Sequence, residues 1–527
     1  MEPEESEKSE VMDSFQVEDI NISRPLMHEH HTGQFAHSIQ FWLSCLGSAV
    51  GYGNIWRFPS VLFNNGGGVF FIPYFICIFI IVFPLYYLEC SYGQLFKKAL
   101  HRYYDSINPK FLGVSAAVAC VTLFLAMFYT TLLSWCISFL IQSFQDPLPW
   151  DTHSQENGVF WNSGYFKEDL LQASGGIGEY THIVILVAVS FVIAGVANYI
   201  VIFNSLESVG YAVYVLIPLP YFLLSILFLK GITLEGFYTG WEFLFKPDWS
   251  KLWTFKIWKD AGAQVIFSLT IGVNVMMLFA SNRDKNEKLL KAAIGVPILN
   301  FGTSIFASMT LFAFLGYASV KTEIPIEEMP MEGSELAFVV YPALITTLPF
   351  SQFWAIIFFI MLICLGLSSL CPYYEVCCCF LHGMLSRTKR FHKIDKKIVS
   401  LCFCFIVLVI DIILMASDAG FYWLTLFDHF SAGLNLLVLI LIQTIILGWY
   451  LGLDYLEEKV HEKGETIPKI YKISIKYISP VFLCFLILFG IVDEIKNPLD
   501  MPPWAQFIGG SMLCFPILCI IASLVFR

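Results

Sequence analysis

The chain has 527 residues, of which 57% are apolar and 17% aromatic, and only 14% are charged. A soluble protein holds about a quarter charged residues, so this balance excludes a soluble globular class. The net charge of −11 says little about partners, because much of it sits in the first 29 residues.

Residues 1–32 are acidic, polar and poor in apolar side chains, and are read as a disordered cytoplasmic tail. The segment has no basic n-region or apolar core of a signal peptide, so the first apolar run is expected to stay in the membrane. His28, His30 and His31 read as a solvated polar run before a helix rather than as a metal cluster. Beyond them, apolar runs long enough to cross about 30 Å of hydrocarbon recur. They fall near 39–63, 69–90, 112–143, 181–204, 209–230, 261–281, 292–318, 351–383, 399–417, 421–452, 472–493 and 504–526. Twelve helices make an all-α polytopic membrane protein.

Orientation follows from the basic residues. Lys97, Lys98, Arg102 and Lys110 lie after the second run, and Arg283, Lys285, Lys288 and Lys291 after the sixth. Arg387, Lys389, Arg390, Lys393, Lys396 and Lys397 follow the eighth, and Lys459, Lys463, Lys469, Lys472 and Lys476 the tenth. Both termini are therefore expected on the cytoplasmic side. The lysine-bearing stretch 230–260 runs against the pattern, but long loops obey the rule less strictly.

The first run is broken by Gly47-Ser48-Ala49-Val50-Gly51-Tyr52-Gly53-Asn54. Each Gly costs about 1 kcal/mol against Ala in a helix, and unwound backbone at membrane depth survives only where it is buried in protein or lines a wet cavity. The sixth run carries a second break, Ser268-Leu269-Thr270-Ile271-Gly272-Val273-Asn274. Interrupted segments at corresponding places in two halves point to a transporter's midplane site. Glycine kinks for packing are the competing reading. The eighth run adds Gly366-Leu367-Ser368-Ser369. Such hydroxyls often bond back to their own helix, yet beside a carbonyl-rich break they suit a hard cation such as Na⁺.

Charged residues within the spans are Arg57, Glu89, Glu375 and Asp428, each a functional candidate in a membrane. Arg57 and Asp428 both lie toward the exterior, where a guanidinium–carboxylate pair could close a vestibule. Most of the fifteen cysteines lie in apolar spans, including Cys377-Cys378-Cys379. There they act as small hydrophobes, and no extracellular disulfide is expected. Palmitoylation of that run is a minor alternative.

The stretch GSAVGYGNIWRFP, with Asn65-Gly66-Gly67-Gly68, Trp258-Lys259-Asp260-Ala261, Gln264 through Gly272, Leu299-Asn300 and Thr303-Ser304, resembles the neurotransmitter:sodium symporter family, solute carrier family six. Phe427-Asp428, Trp449-Tyr450-Leu451-Gly452 and Pro502-Pro503-Trp504 continue the match, which covers roughly residues 33 to 526. Members of this family are among the transporters in which discontinuous helices were recognised, so the two lines of argument are not independent.

The resemblance implies the leucine-transporter-type fold, with helices one and six unwound at the midplane and an inverted 5+5 repeat. Repeat one would occupy about 33–230, repeat two about 260–452, and helices eleven and twelve about 472–527, all in a transporter domain of 33–527. One sodium site would use Ala49, Asn54, Ser268 and Asn300; the other would use Gly47, Val50, Leu365, Ser368 and Ser369. Chloride would sit at Tyr74, Gln264, Ser268 and Ser304, since chloride-independent relatives place a carboxylate where Ser304 stands. The substrate would meet Ser48, Ala49, Gly51, Tyr52, Gly53, Leu125, Tyr129, Phe267, Thr270, Val273, Ser369 and Tyr373. Arg57, Asp428, Tyr129 and Phe267 would form the extracellular gate. Gly51 replaces the Asp of monoamine carriers, which favours a neutral amino acid or related zwitterion.

Several positions depart from the family pattern. The inner Arg and Trp read Thr32 and Phe35, their Asp partner aligns with Gly383, and a Tyr of helix six aligns with Asn282. Many relatives place Asp at Ser368. Exterior loop 145–180 lacks the usual cysteine pair and any Asn-x-Ser/Thr acceptor. The reading is therefore a sodium-coupled, chloride-dependent symporter in the plasma membrane, with the bilayer and a small zwitterion as its partners, no nucleic acid and an open oligomeric state. The altered inner gate motivates two alternatives, a non-transporting amino-acid sensor on the same fold and a sodium-leak channel. No nucleophile–base pair or metal-ligand spacing supports an enzyme.

Overall fold

The computed structural model describes residues 35, 37–97, 100–151, 163–283, 287–329, 333–391, 393–431, 433–462 and 464–526. The acidic tail, with His28, His30, His31 and Thr32, lies outside them. Ten helices are long and apolar enough to cross a membrane, from Gly68–Phe96 to Pro503–Phe526. Two further segments are interrupted, and they complete the twelve spans read from the sequence. Span one is Ser38–Ala49, then Gly53–Arg57 and Phe58–Asn64; span six is Phe255–Ser268 and Val275–Ser281. Among the described residues the only β pairing is two isolated bridges, Gly67 with Pro247 and Ile183 with Ser417.

Spans three (Leu112–Gln142) and eight (Ser351–Ser386) form the centre, with most of their side chains buried. The outer spans turn apolar residues outward, as a lipid-facing surface must. Ile185 and Ile200 of span four, Phe405 and Ile406 of span nine, and Phe507 and Phe526 of span twelve are exposed.

The basic loops gather at one end of the bundle. There Arg387 pairs with Asp105 at 2.6 Å, Asn108 donates to the Tyr450 hydroxyl at 2.8 Å, and the Leu289 amide donates to Glu465 at 3.1 Å. At the opposite end Lys259 pairs with Asp493 at 2.9 Å and Lys167 with Glu335 at 2.6 Å. A short segment, Leu336–Val340 and Tyr341–Thr346, dips back into this end. Its Phe338 lies 5.6 Å from Trp135, 5.3 Å from Phe166 and 6.1 Å from Trp56. A buried aromatic cap therefore sits directly above the break in span one.

Candidate functional site

Both breaks are built as the glycines and polar residues predict. Span one ends as Val50 turns extended, at φ −92° and ψ 105°, and the chain resumes as a wide helical turn at Gly53. In span six Thr270, Gly272 and Asn274 have φ of +52°, +91° and +59°. Only glycine adopts that region freely; each of the other two costs about 1–3 kcal/mol and needs surroundings that hold it.

Those surroundings are polar. Glu89 of span two accepts the Gly272 amide at 2.7 Å, and Gln443 of span ten donates to the Gly272 carbonyl at 2.8 Å. Tyr104 donates to the Asn274 side chain at 3.3 Å. A hydrogen bond to a buried amide contributes about 0.5–1.5 kcal/mol net, which offsets part of the strain at one of these residues. The sequence marked Glu89 as unusual but gave no sign of its partner; Gln443 carried no signal, being one amide in an apolar helix.

The proposed first sodium set is brought together. The Asn54 amide nitrogen donates to Asn300 Oδ1 at 2.8 Å, to the Asn300 carbonyl at 3.3 Å and to Ser304 Oγ at 2.8 Å. Asn54 Oδ1 accepts the Gly51 amide at 3.0 Å, and Asn300 donates to Ser268 Oγ at 2.9 Å. Ala49 is buried at the end of the helical segment leading into this ring. Spans one, six and seven thus meet through one hydrogen-bonded chain of oxygen-bearing side chains.

Two residues of the chloride set, Ser268 and Ser304, belong to the same ring. Gln264 reaches it through the Gly53 carbonyl at 3.4 Å and keeps its Oε1 without a hydrogen-bond partner. Tyr74 approaches by its ring, 5.1 Å from Phe58 and 5.3 Å from Phe301.

The second sodium set also converges. Ser369 Oγ donates to the Gly47 carbonyl at 3.3 Å, linking span eight to span one. Ser368 bonds back to the Leu365 carbonyl at 2.9 Å, the local alternative that such hydroxyls offer. A methyl group on Gly47 would meet Ser368 Cβ at 3.3 Å and Ile217 at 2.4 Å, so the approach of these helices depends on glycine. Val50 follows on the same unwound segment.

Of the substrate set, Gly51 is the most confined. A Cβ there would lie 2.6 Å from Ser369 Oγ and 3.5 Å from the Tyr129 hydroxyl. Tyr129 in turn packs edge-on to Tyr373 at 5.4 Å. Leu125, Val273 and Ser48 are buried, with Ser48 bonded back to the Cys45 carbonyl at 2.9 Å. Thr270 Oγ1 and Asn274 Nδ2 are buried without partners, and Gly53 lies 3.9 Å below Phe267, measured from where its Cβ would be.

Tyr52 is placed differently from the expectation. Its ring stacks between Trp56 at 4.7 Å and Tyr129 at 5.5 Å, and its hydroxyl fills the notch left by Gly366, 2.0 Å from where a Cβ would be. The side chain wedges between spans one, three and eight, leaving its backbone as the part available to a ligand. Sequence placed Tyr52 by position alone, and position does not tell which way a side chain leaves an unwound turn.

The outer gate pair is not joined. Arg57 lies over the Phe267 ring at 4.2 Å, while Asp428 is exposed, and no ion pair links them among the described residues. The neighbouring His429 pairs with Glu494 of span eleven at 2.6 Å.

At the inner end, the altered positions have acquired new contacts. His101 is buried against Gly383, with its Nδ1 1.8 Å from where a Cβ would stand. Burial, assisted by Arg387 and Arg102, pushes its imidazole down to about 3. Phe35 packs edge-on against Phe41 at 6.1 Å and Phe279 at 6.0 Å, and Asn282 donates to the Leu278 carbonyl at 2.9 Å. Glu375, one of the charged residues that the sequence places within a span, pairs with Lys396 at 2.5 Å.

The chain matches the model of the sodium:neurotransmitter symporter family over residues 32–527. It is also similar to a creatine transporter from Torpedo marmorata, with 30% identity over 515 residues, covering 92% of this chain and 84% of that protein.

Proposed function

The chain belongs to the sodium:neurotransmitter symporter family, a multi-pass sodium-coupled carrier and not an enzyme, and from that premise we propose that it moves a carboxylate-bearing zwitterion together with sodium and chloride. The observation that carries the substrate class is Gly51. With no side chain there, Ser369 Oγ and the Tyr129 hydroxyl approach the backbone closely, 2.6 and 3.5 Å from where a Cβ would stand, two neutral groups able to donate to a carboxylate beside a sodium ion. An Asp at this position would put a like charge where the carboxylate belongs. The similarity to a creatine transporter supports the same class, since creatine is itself a zwitterion with a carboxylate. Neutral L-amino acids are the first choice.

Asn54, Ser268 and Asn300 with Ala49 would hold one sodium, and Gly47, Val50, Leu365, Ser368 and Ser369 the other. Oxygen donors suit a hard monovalent cation. Ser304, Ser268, Gln264 and Tyr74 would hold chloride as neutral donors. Sharing of one shell by sodium and the substrate carboxylate makes each ligand raise the other's affinity, by about 1–3 kcal/mol in typical couplings. The termini are assigned to the cytoplasm on the positions of the basic loops, and the plasma membrane is the expected location.

The test is a panel of labelled substrates offered to the full chain in liposomes: neutral amino acids, creatine, and amines lacking a carboxylate. Uptake of carboxylate-bearing compounds, abolished by Gly51→Asp, is the expected result. Uptake of the amines, or full amino-acid uptake by the Asp variant, would overturn the placement of the carboxylate. Binding without accumulation would indicate the sensor, and sodium flux independent of substrate the leak channel.

A further inference from the structure

At the inner end, away from the ligand site, four side chains from three spans converge on one buried point. Glu375 of span eight is fully buried, and its Oε1 receives Lys396 Nζ at 2.5 Å and the Ser205 hydroxyl. Lys396 opens span nine, and Ser205 caps the first helical segment of span five. One turn along from Glu375, Cys379 points into the same cluster. Its sulfur lies 3.0 Å from Lys396 Nζ and 3.4 Å from Glu375 Oε1.

An ion pair alone does not require the thiol. The amine and thiol are in direct contact, a separation that one bridging atom spans, and the carboxylate beside both can take up a released proton. We propose that Lys396 and Cys379 form a reversible oxidative cross-link in which a single oxygen joins Nζ to Sγ. Dioxygen is the oxidant. The ammonium, the carboxylate, the thiol and one O₂ become an N–O–S bridge, a protonated Glu375 and one water. One N–H and the S–H bond are replaced by N–O and O–S bonds and their hydrogens leave in the water, a second ammonium proton passes to Glu375, and the third hydrogen stays on the bridging nitrogen. Nitrogen and sulfur each give up two electrons, and the four electrons reduce both oxygen atoms.

The neighbouring thiols are placed otherwise. Cys377 Sγ donates to the Ala119 carbonyl at 3.5 Å, and Cys378 is fully buried. Cys379 is itself buried, and what sets it apart from these two is the amine, the acid and a partly exposed lysine beside it. The bridge removes the ammonium that holds span nine to Ser205 of span five at 2.7 Å and to Glu375 of span eight, and replaces the ion pair between spans eight and nine by a covalent link. The redox state of the inner face would then set how these spans move against one another.

The full chain, purified in lipid nanodiscs, would be held in air-saturated or oxygen-free buffer, digested without reductant and weighed. The expected product in air is a joined pair of peptides containing Cys379 and Lys396, heavier than the two reduced peptides by one oxygen and lighter by two hydrogens. It should revert with dithiothreitol and be missing in Cys379→Ser and in Lys396→Arg, which keeps the ion pair to Glu375. Peptides that stay separate in air, oxidation confined to sulfur acids on Cys379, or a joined pair lacking the added oxygen would each overturn the proposal.

Discussion

Ser304 decides how charge is balanced at the ion site. It accepts from Asn54 at 2.8 Å and donates to the Asn300 carbonyl at 3.2 Å, a neutral hydroxyl in a ring that brings no carboxylate of its own. If chloride supplies the missing negative charge, replacing it with gluconate should lower uptake by about 5- to 150-fold, the range of ordinary coupling energies. Ser304→Glu should restore uptake in gluconate. Unchanged uptake by the wild-type chain in gluconate would contradict the assignment. At this scale much of the candidate site is legible in sequence, because glycines, asparagines and hydroxyls are conspicuous in apolar helices. What is not legible is direction. Tyr52 turns away into the scaffold, and Arg57 chooses the Phe267 face over Asp428. Neither choice follows from spacing, since both depend on which neighbouring helix leaves a gap.

The elements around the breaks are held by complementary shapes as much as by polar bonds. Span one fits against span eight because Gly366 leaves room for the Tyr52 hydroxyl, which finds no hydrogen-bond partner there. Gly366→Ala should therefore cost about 1–3 kcal/mol, as overpacking of a tight core does. Tyr52→Leu should remove most of that cost when combined with it, because the two residues share one space. Thermal unfolding of the single and double variants measures this; additive losses would show that the contact is not the cause. The twelve spans were legible as runs of apolar residues, and the two broken ones as runs with glycine and asparagine inside. The anchors of the second break were not, because Glu89, Tyr104 and Gln443 come from three separate parts of the chain and meet Gly272 and Asn274 only in three dimensions.

Across the whole molecule, the two ends are closed in different ways. One end has an aromatic cap around Phe338, with Arg57 over the Phe267 ring and not joined to Asp428. The end that carries the basic loops fills the space at Gly383 with the His101 ring. That packing has a pH signature. The folded pKa of His101, about 3, lies below the ordinary value of about 6.5, so the unfolded chain binds more protons between them. Stability is then complete above about pH 6.5 and falls as pH drops toward 3. The unfolding temperature of the wild type should drop more between about pH 7 and pH 5 than that of His101→Gln, which cannot titrate. Equal losses would show that His101 is not the sensitive group. The pairing of His101 with Gly383 was invisible in sequence, where one is a loop residue and the other a lone glycine in a helix.

Both breaks, both hydroxyls of span eight and the rings of oxygen donors serve one purpose in this account, the coupling of solute movement to sodium. The direct measurement is accumulation of labelled substrate by the full chain in liposomes, with sodium outside and potassium inside. Concentrative uptake that collapses when a sodium ionophore dissipates the gradient is the predicted result. Uptake that proceeds equally without a sodium gradient, or no accumulation of any compound in the panel, would contradict it.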